Sequence, residues 1–243
     1  MTTEATSRKS EEAVAPGTCW SCGKAPGAGH FCAACGKIQP LERDADYFAL
    51  LGLPRKLTVK LDDLEQRFHR LSWKLHPDNF VRASEYEREL SLVRASQLND
   101  AYRALRDPVT RVEYLLASAG KRREGQNKQQ APPELLEEVF ELNESLDELR
   151  GVRQGGGDPA ERAQLAWRLE EAGKGFEEKL GVVDAELELI GMEWDRLSAE
   201  NGGAIGAETA EQVKLMNRMN DVLNRRSYIR NLVQSVRKEL AEA

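Results

Sequence analysis

Apolar residues return at three- and four-residue spacing over most of the chain, the pattern of helices that each bury one stripe. Leu61, Leu64, Phe68, Leu71 and Leu75 form the first long stripe. It must end near His76, because Pro77 lacks an N–H and disfavours helical geometry in the residue before it. A second stripe runs through Tyr86, Leu90, Val93, Leu98, Ala101, Tyr102 and Leu105. It begins near Ser84, whose spacing to Glu87 is that of a capping box, and Asp107-Pro108 closes it. A short apolar turn, Tyr47-Phe48-Ala49-Leu50-Leu51, precedes these helices and is stopped by Gly52 and Pro54. Val112, Tyr114, Leu115 and Leu116 predict one more short helix. Residues 121–132 carry no stripe and read as a linker. Three helical stretches follow, about 133–150, 158–199 and 208–241, separated by the glycine-rich segments GVRQGGGD and NGGAIG. Short loops between long helices imply antiparallel neighbours, hence a three-helix bundle over 133–243. Gly173 and Gly175 weaken its middle helix and allow a break there.

Composition agrees with an all-α fold. Of 243 residues 6% are aromatic, 31% charged and 40% hydrophobic, a balance that suits striped helices and disfavours a β-sandwich or barrel. No stretch approaches the roughly 18 apolar residues that span a bilayer, so no membrane role is expected. Residues 1–17 are small and polar and are expected to be disordered. Glu4, Glu11 and Glu12 mixed with Arg8 and Lys9 fit neither a secretory signal nor a mitochondrial presequence, which makes cytoplasmic the expected location. The net charge of −6 hides an asymmetry: residues 46–120 hold 12 basic and 11 acidic residues, residues 133–200 hold 7 and 19. The acidic half should repel nucleic acid and anionic lipid, which leaves proteins as its partners.

All four cysteines fall in residues 18–42, as Cys19-x-x-Cys22-Gly and Cys32-x-x-Cys35-Gly. Each turn brings two thiolates to one side, and two turns supply the four soft ligands of a tetrahedral site. The unit resembles a zinc ribbon or rubredoxin-like knuckle, too poor in apolar residues to fold without its metal. The reading is structural zinc on Cys19, Cys22, Cys32 and Cys35, with a transient iron or iron–sulfur ligand as its rival. A disulfide conflicts with a cytosolic setting, and a thioredoxin-like redox motif wants a βαβ context. His30 reads as a loop residue rather than a ligand.

His76-Pro77-Asp78 stands between the two long stripes, where a J-domain carries its His-Pro-Asp loop. Pro77 fixes the turn, Asp78 presents a carboxylate suited to an arginine partner, and His76 holds the loop. Arg67, Arg70 and Lys74 share the face of the preceding helix opposite the core, and in J-domains such a face meets an acidic patch of the chaperone. His69 and Trp73 read as partly buried packing residues. Four stretches together resemble the HscB family, the J-type co-chaperones of iron–sulfur assembly. They are Asp46-Tyr47-Phe48-x-x-Leu51-Gly52-Leu53-Pro54, His76-Pro77-Asp78-Asn79-Phe80, Leu98-Asn99-Asp100-Ala101-Tyr102 and Arg111-x-x-Tyr114-Leu115-Leu116. Asn79 departs from the apolar or aromatic residue usual in the family. The resemblance covers a J-domain over 46–120 by motif and the bundle by architecture. The paired cysteine element looks like the one on animal and plant members.

The resemblance implies a scaffold-binding helix at the start of the bundle. Leu136, Phe140, Glu141, Glu144 and Glu148 share one of its faces, while Val139, Leu142, Leu146 and Leu149 can point into the bundle. Read without the resemblance, Leu136 and Phe140 would be bundle core and the acids a solvated face. Glu137 stands where the family commonly has Met. The resemblance further implies an adaptor rather than an enzyme. Its bundle would hold the iron–sulfur scaffold protein while its J-domain stimulates ATP hydrolysis by a DnaK/HscA-type chaperone. The alternative is a general J-domain co-chaperone, which would want a Met-rich client surface, and only four Met are present. A redox enzyme would need a base, nucleophile or cofactor loop beside the cysteines, and none is evident. Oligomeric state is left open.

Overall fold

The computed structural model describes residues 17–41, 45–123, 132–200 and 208–242. The predicted disordered N-terminus, most of the linker and the NGGAIG loop lie outside the described residues. Among the described residues seven helices follow in order: α1 Tyr47–Leu50, α2 Leu61–Leu75, α3 Glu85–Arg106, α4 Pro108–Ser118, α5 Leu136–Gly155, α6 Pro159–Glu200 and α7 Ala210–Glu242. Short 3₁₀ turns cover Pro77–Phe80 and Pro133–Leu135. Among the described residues the β-type pairing is a single bridge, Phe31 with Ile38, so the all-α expectation holds.

The chain divides into two compact units. One comprises residues up to Gly52 together with Asp62–Tyr102, and the other Leu53–Leu61 with Arg103–Ala243. In the first unit the stripe of α2 buries Leu64 and Leu75, and α3 buries Leu90, Leu98 and Ala101. Phe68 stacks on Tyr102 with centroids 4.2 Å apart. α3 starts on the predicted capping box: Ser84 Oγ accepts from Glu87 N–H at 3.3 Å, and the Glu87 carboxylate accepts from Ser84 N–H. Two stripe residues, Tyr86 and Val93, are exposed rather than buried. Tyr86 instead meets Trp20 edge-on, with centroids 4.8 Å apart, so its ring serves the cysteine segment.

The second unit is the bundle of α5, α6 and α7, joined by α4 and the 53–61 segment. Its core includes Val139, Leu142, Leu146 and Leu149 from α5, Phe176, Leu187 and Trp194 from α6, and Met219, Leu223 and Val233 from α7. Contrary to the expected weakness, α6 runs unbroken through Gly173 and Gly175. The reason is packing: a Cβ on Gly173 would stand 3.1 Å from Val236, so glycine there lets α6 and α7 approach. α5 also outlasts its expected end near residue 150. It stops at Gly156, whose φ of 67° gives the left-handed cap that glycine adopts without strain. Arg150 extends those last turns toward α7 by donating from Nε and Nη2 to Glu239 at 2.9 and 2.7 Å.

Two polar clamps complete this unit. Asp195 on α6 accepts from Leu57 N–H at 2.7 Å and Thr58 N–H at 2.8 Å. Arg111 on α4 is buried and donates to the carbonyls of Leu105 at 2.7 Å and Leu57 at 2.6 Å. Both satisfy backbone groups that the 53–61 segment could not pair with itself. The start of the linker is held as well, since Asn220 accepts from Arg123 N–H at 2.9 Å and donates to Lys121 O at 2.9 Å.

Candidate functional site

The cysteine segment is built from two near-identical turns. Gly23 N–H donates to Cys19 O at 2.9 Å, and Gly36 N–H donates to Cys32 O at 2.8 Å. The chain then turns back at Gly23 and Gly36, with φ of 70° and 71°, a region that explains why each Cys-x-x-Cys is followed by glycine. All four Sγ atoms lie within 4.8 Å of one another, with Cys19–Cys35 at 3.6 Å and Cys22–Cys32 at 3.8 Å. A tetrahedral zinc with bonds of 2.3 Å would set its sulfurs about 3.8 Å apart, so the donor set fits a metal ion. Burial pushes the Cys19 thiol up, yet the N–H groups of Cys22 and Ser21 and the neighbouring thiols outweigh it and bring Cys19 down to about 6. At Cys35 the Lys37 N–H acts downward, but burial and proton sharing with the other sulfurs push it up to about 12.

This knuckle is packed on the first unit rather than hung from it. Ile38 is fully buried, and Trp20 Nε1 donates to its carbonyl at 2.7 Å. Gln39 contacts Cys19 Sγ at 3.4 Å through Nε2 and accepts from Arg94 Nε at 3.0 Å through its carbonyl. Lys37 pairs with Glu87, the capping residue of α3, at 2.9 Å. His30 Nε2 lies 3.0 Å from Leu50 O at the end of α1. Arg94, a fully buried arginine, went unmarked in the sequence. Its position in the Leu90–Leu98–Ala101 stripe was the available signal.

The His-Pro-Asp loop follows α2 as expected and is tied to it by side-chain hydrogen bonds. The last turn of α2 leaves carbonyls unpaired. Asn79 Nδ2 donates to Trp73 O at 2.6 Å, and Ser91 Oγ donates to Leu75 O at 2.7 Å. Asn79 thereby uses its polarity as a cap. Phe80 is buried and anchors the far side of the turn. His76 Nδ1 accepts from Asp78 N–H at 3.3 Å, which aims the Asp78 side chain outward, 85% exposed. Of the basic residues on α2, Arg70 and Lys74 are exposed. Arg67 is tied down, bonded to Asp63 at 2.9 Å and to Gly52 O. His69 and Trp73 are both exposed, Trp73 by 74%, which overturns the expectation that they are partly buried packing residues. The reason is register: they lie opposite Leu64, Leu71 and Leu75.

On α5 the structure brings Leu136, Phe140, Glu141, Glu144 and Glu148 to the exposed face. Leu136 is 56% and Phe140 70% exposed, so the core reading of these two side chains fails. Glu138, beside them, pairs with Lys179 at 3.1 Å.

A helical hairpin closed by an exposed His-Pro-Asp turn, with a tetracysteine knuckle before it and a three-helix bundle after it, defines a J-type co-chaperone. No protein-family model matches the chain. It is 35% identical over 142 residues to the co-chaperone protein HscB homolog of Vibrio vulnificus, covering 58% of this chain and 80% of that protein. It is 35% identical over 139 residues to the iron–sulfur cluster co-chaperone protein HscB of Mus musculus, covering 56% of this chain and 59% of that one. The crystal structure of human HscB superposes with a TM-score of 0.60 at 22% identity, over 93% of this chain and all of that one. HscB from Vibrio cholerae superposes with a TM-score of 0.56 at 25% identity, over 79% and 96%. The chain belongs to the HscB co-chaperone family. No helix among the described residues is long and apolar enough to cross a membrane.

Proposed function

We propose that this protein is an adaptor that brings an iron–sulfur scaffold protein to a DnaK/HscA-type chaperone and triggers ATP hydrolysis with the scaffold in place. The J-domain over 46–120 docks the chaperone through His76, Pro77 and Asp78, with Arg70 and Lys74 supplying long-range attraction and Arg67 buttressing the helix. The bundle over 133–243 holds the scaffold through Leu136, Phe140, Glu141, Glu144 and Glu148. The observation that carries this reading is the exposed Leu136–Phe140 pair ringed by carboxylates, on a helix whose opposite stripe is already buried. Apolar anchors inside a polar rim are the anatomy of a protein-docking surface.

The part the protein plays is recognition and no chemical step of its own. Cys19, Cys22, Cys32 and Cys35 hold a structural zinc ion over 18–42, in a protein of the cytoplasm. Bound there, zinc would supply the cross-link that folds the knuckle. Holding both partners on one chain raises the effective concentration of each for the other, so neither contact needs high affinity. The reading is tested by Asp78→Asn in single-turnover ATP hydrolysis by the chaperone. Loss of stimulation with an unchanged melting curve is expected. Full stimulation by the folded variant would refute the docking role.

A further inference from the structure

Trp73 has no structural task that explains it. It occupies the last turn of α2, 74% exposed, where burial in the same helix is carried by Leu64 and Leu75. Among the described residues its ring makes no aromatic contact, whereas Trp20, the other tryptophan of this unit, is engaged by Tyr86 and by Ile38 O. Leaving so large a ring in water forgoes the free energy of its burial, which a folded state tolerates where the surface is used.

The surroundings say by what. Arg70 lies one turn before Trp73 on the same face, Lys74 is adjacent, and both are exposed. The Trp73 carbonyl is the group that Asn79 of the His-Pro-Asp turn caps at 2.6 Å, so the turn and the ring are fixed to one helix end. An exposed aromatic framed by two cations, beside an outward carboxylate, fits an acidic protein surface with an apolar recess. It is also the composition of an interface hot spot, where tryptophan and arginine dominate.

We propose that Trp73 is the apolar anchor of the chaperone-docking face and inserts into a pocket on an acidic surface of the chaperone ATPase. This rests on the docking role proposed above and adds the residue that supplies its affinity. The cations then set the rate of encounter and Trp73 the lifetime of the complex.

The test is the concentration dependence of ATPase stimulation, using the full chain, its metal-loaded form and the chaperone of the same organism. Trp73→Ala should raise the half-saturating concentration at least tenfold, while Trp73→Phe stays within about threefold of the parent. Fluorine NMR of the chain labelled with 5-fluorotryptophan gives a positional readout. The resonance that Trp73→Phe removes should shift or broaden on adding the ATP-bound chaperone. An unchanged half-saturation for Trp73→Ala, in a parent that does stimulate, would overturn the proposal while leaving the docking reading intact. A parent that never stimulates would sink both. Phosphatidylserine vesicles form a separate arm. Binding there that Trp73→Ala abolishes, with the chaperone titration unmoved, would assign the ring to a lipid surface instead.

Discussion

Replacing Phe140 by alanine separates binding from folding. The ring is 70% exposed, and a phenylalanine presents roughly 200 Å² in all, so about 140 Å² remains for a partner to cover. At about 25 cal/mol per Å² that area is worth about 3.5 kcal/mol if fully buried. Alanine retains the β-carbon, and a docking patch stays wet at its edge, so a loss of about 2 kcal/mol is the working figure. That is about a 30-fold weaker complex. The stability change should be under about 0.5 kcal/mol, because little packing is lost and alanine is the better helix former. Isothermal titration of the full chain against the scaffold measures the first quantity and urea unfolding the second. A dissociation constant unchanged within twofold would refute the α5 docking face. A large loss of stability would instead return Phe140 to the core.

On the proposed zinc site, chelation should abolish amide protection over 17–41 and lower it in α3 around Arg94, because Gln39 O is that guanidinium's acceptor. Hydrogen exchange that leaves α3 untouched would show the knuckle to be independent. Asp195→Ala should cost about 2–4 kcal/mol in urea unfolding, since the N–H groups of Leu57 and Thr58 both lose a charged acceptor. A cost below about 1 kcal/mol would mean that the 53–61 segment is held by something else. The bond from Arg150 outweighs burial and holds the Glu239 carboxyl below its ordinary value of 4.5. A lowered acid contributes stability above its unfolded value and loses it as pH falls through the folded one. Glu239→Gln should therefore melt earlier than the parent at pH 7, with the gap closing below about pH 4.5. A gap that is constant with pH would contradict this.

Local chemistry was legible in the sequence and long-range chemistry was not. Cys-x-x-Cys-Gly, the Ser84–Glu87 box and the helix stop at Pro77 each act within a few residues, and the structure reproduces them. The α5 stripe was also correct, because Val139, Leu142, Leu146 and Leu149 repeat on one face. Tyr86 was misassigned because the ring that engages it, Trp20, lies 66 residues earlier. Allowing a break at Gly173 left out Val236, 63 residues on, whose approach needs that glycine. Asp195 is one of many acids between residues 133 and 200, and only folding brings it to Leu57 and Thr58. Trp73 shows the converse limit. Its hydrophobicity suggested burial, but its phase on α2 sets it with Arg70 on the outer face.

In the proposed function one chain couples the scaffold to the chaperone's ATPase. Single-turnover ATP hydrolysis by the chaperone, with this protein alone, scaffold alone and both together, tests it most directly. Adaptor action predicts stimulation by the pair well beyond the sum of the two separate effects. Stimulation indifferent to the scaffold would contradict it and leave a J-type co-chaperone for other clients.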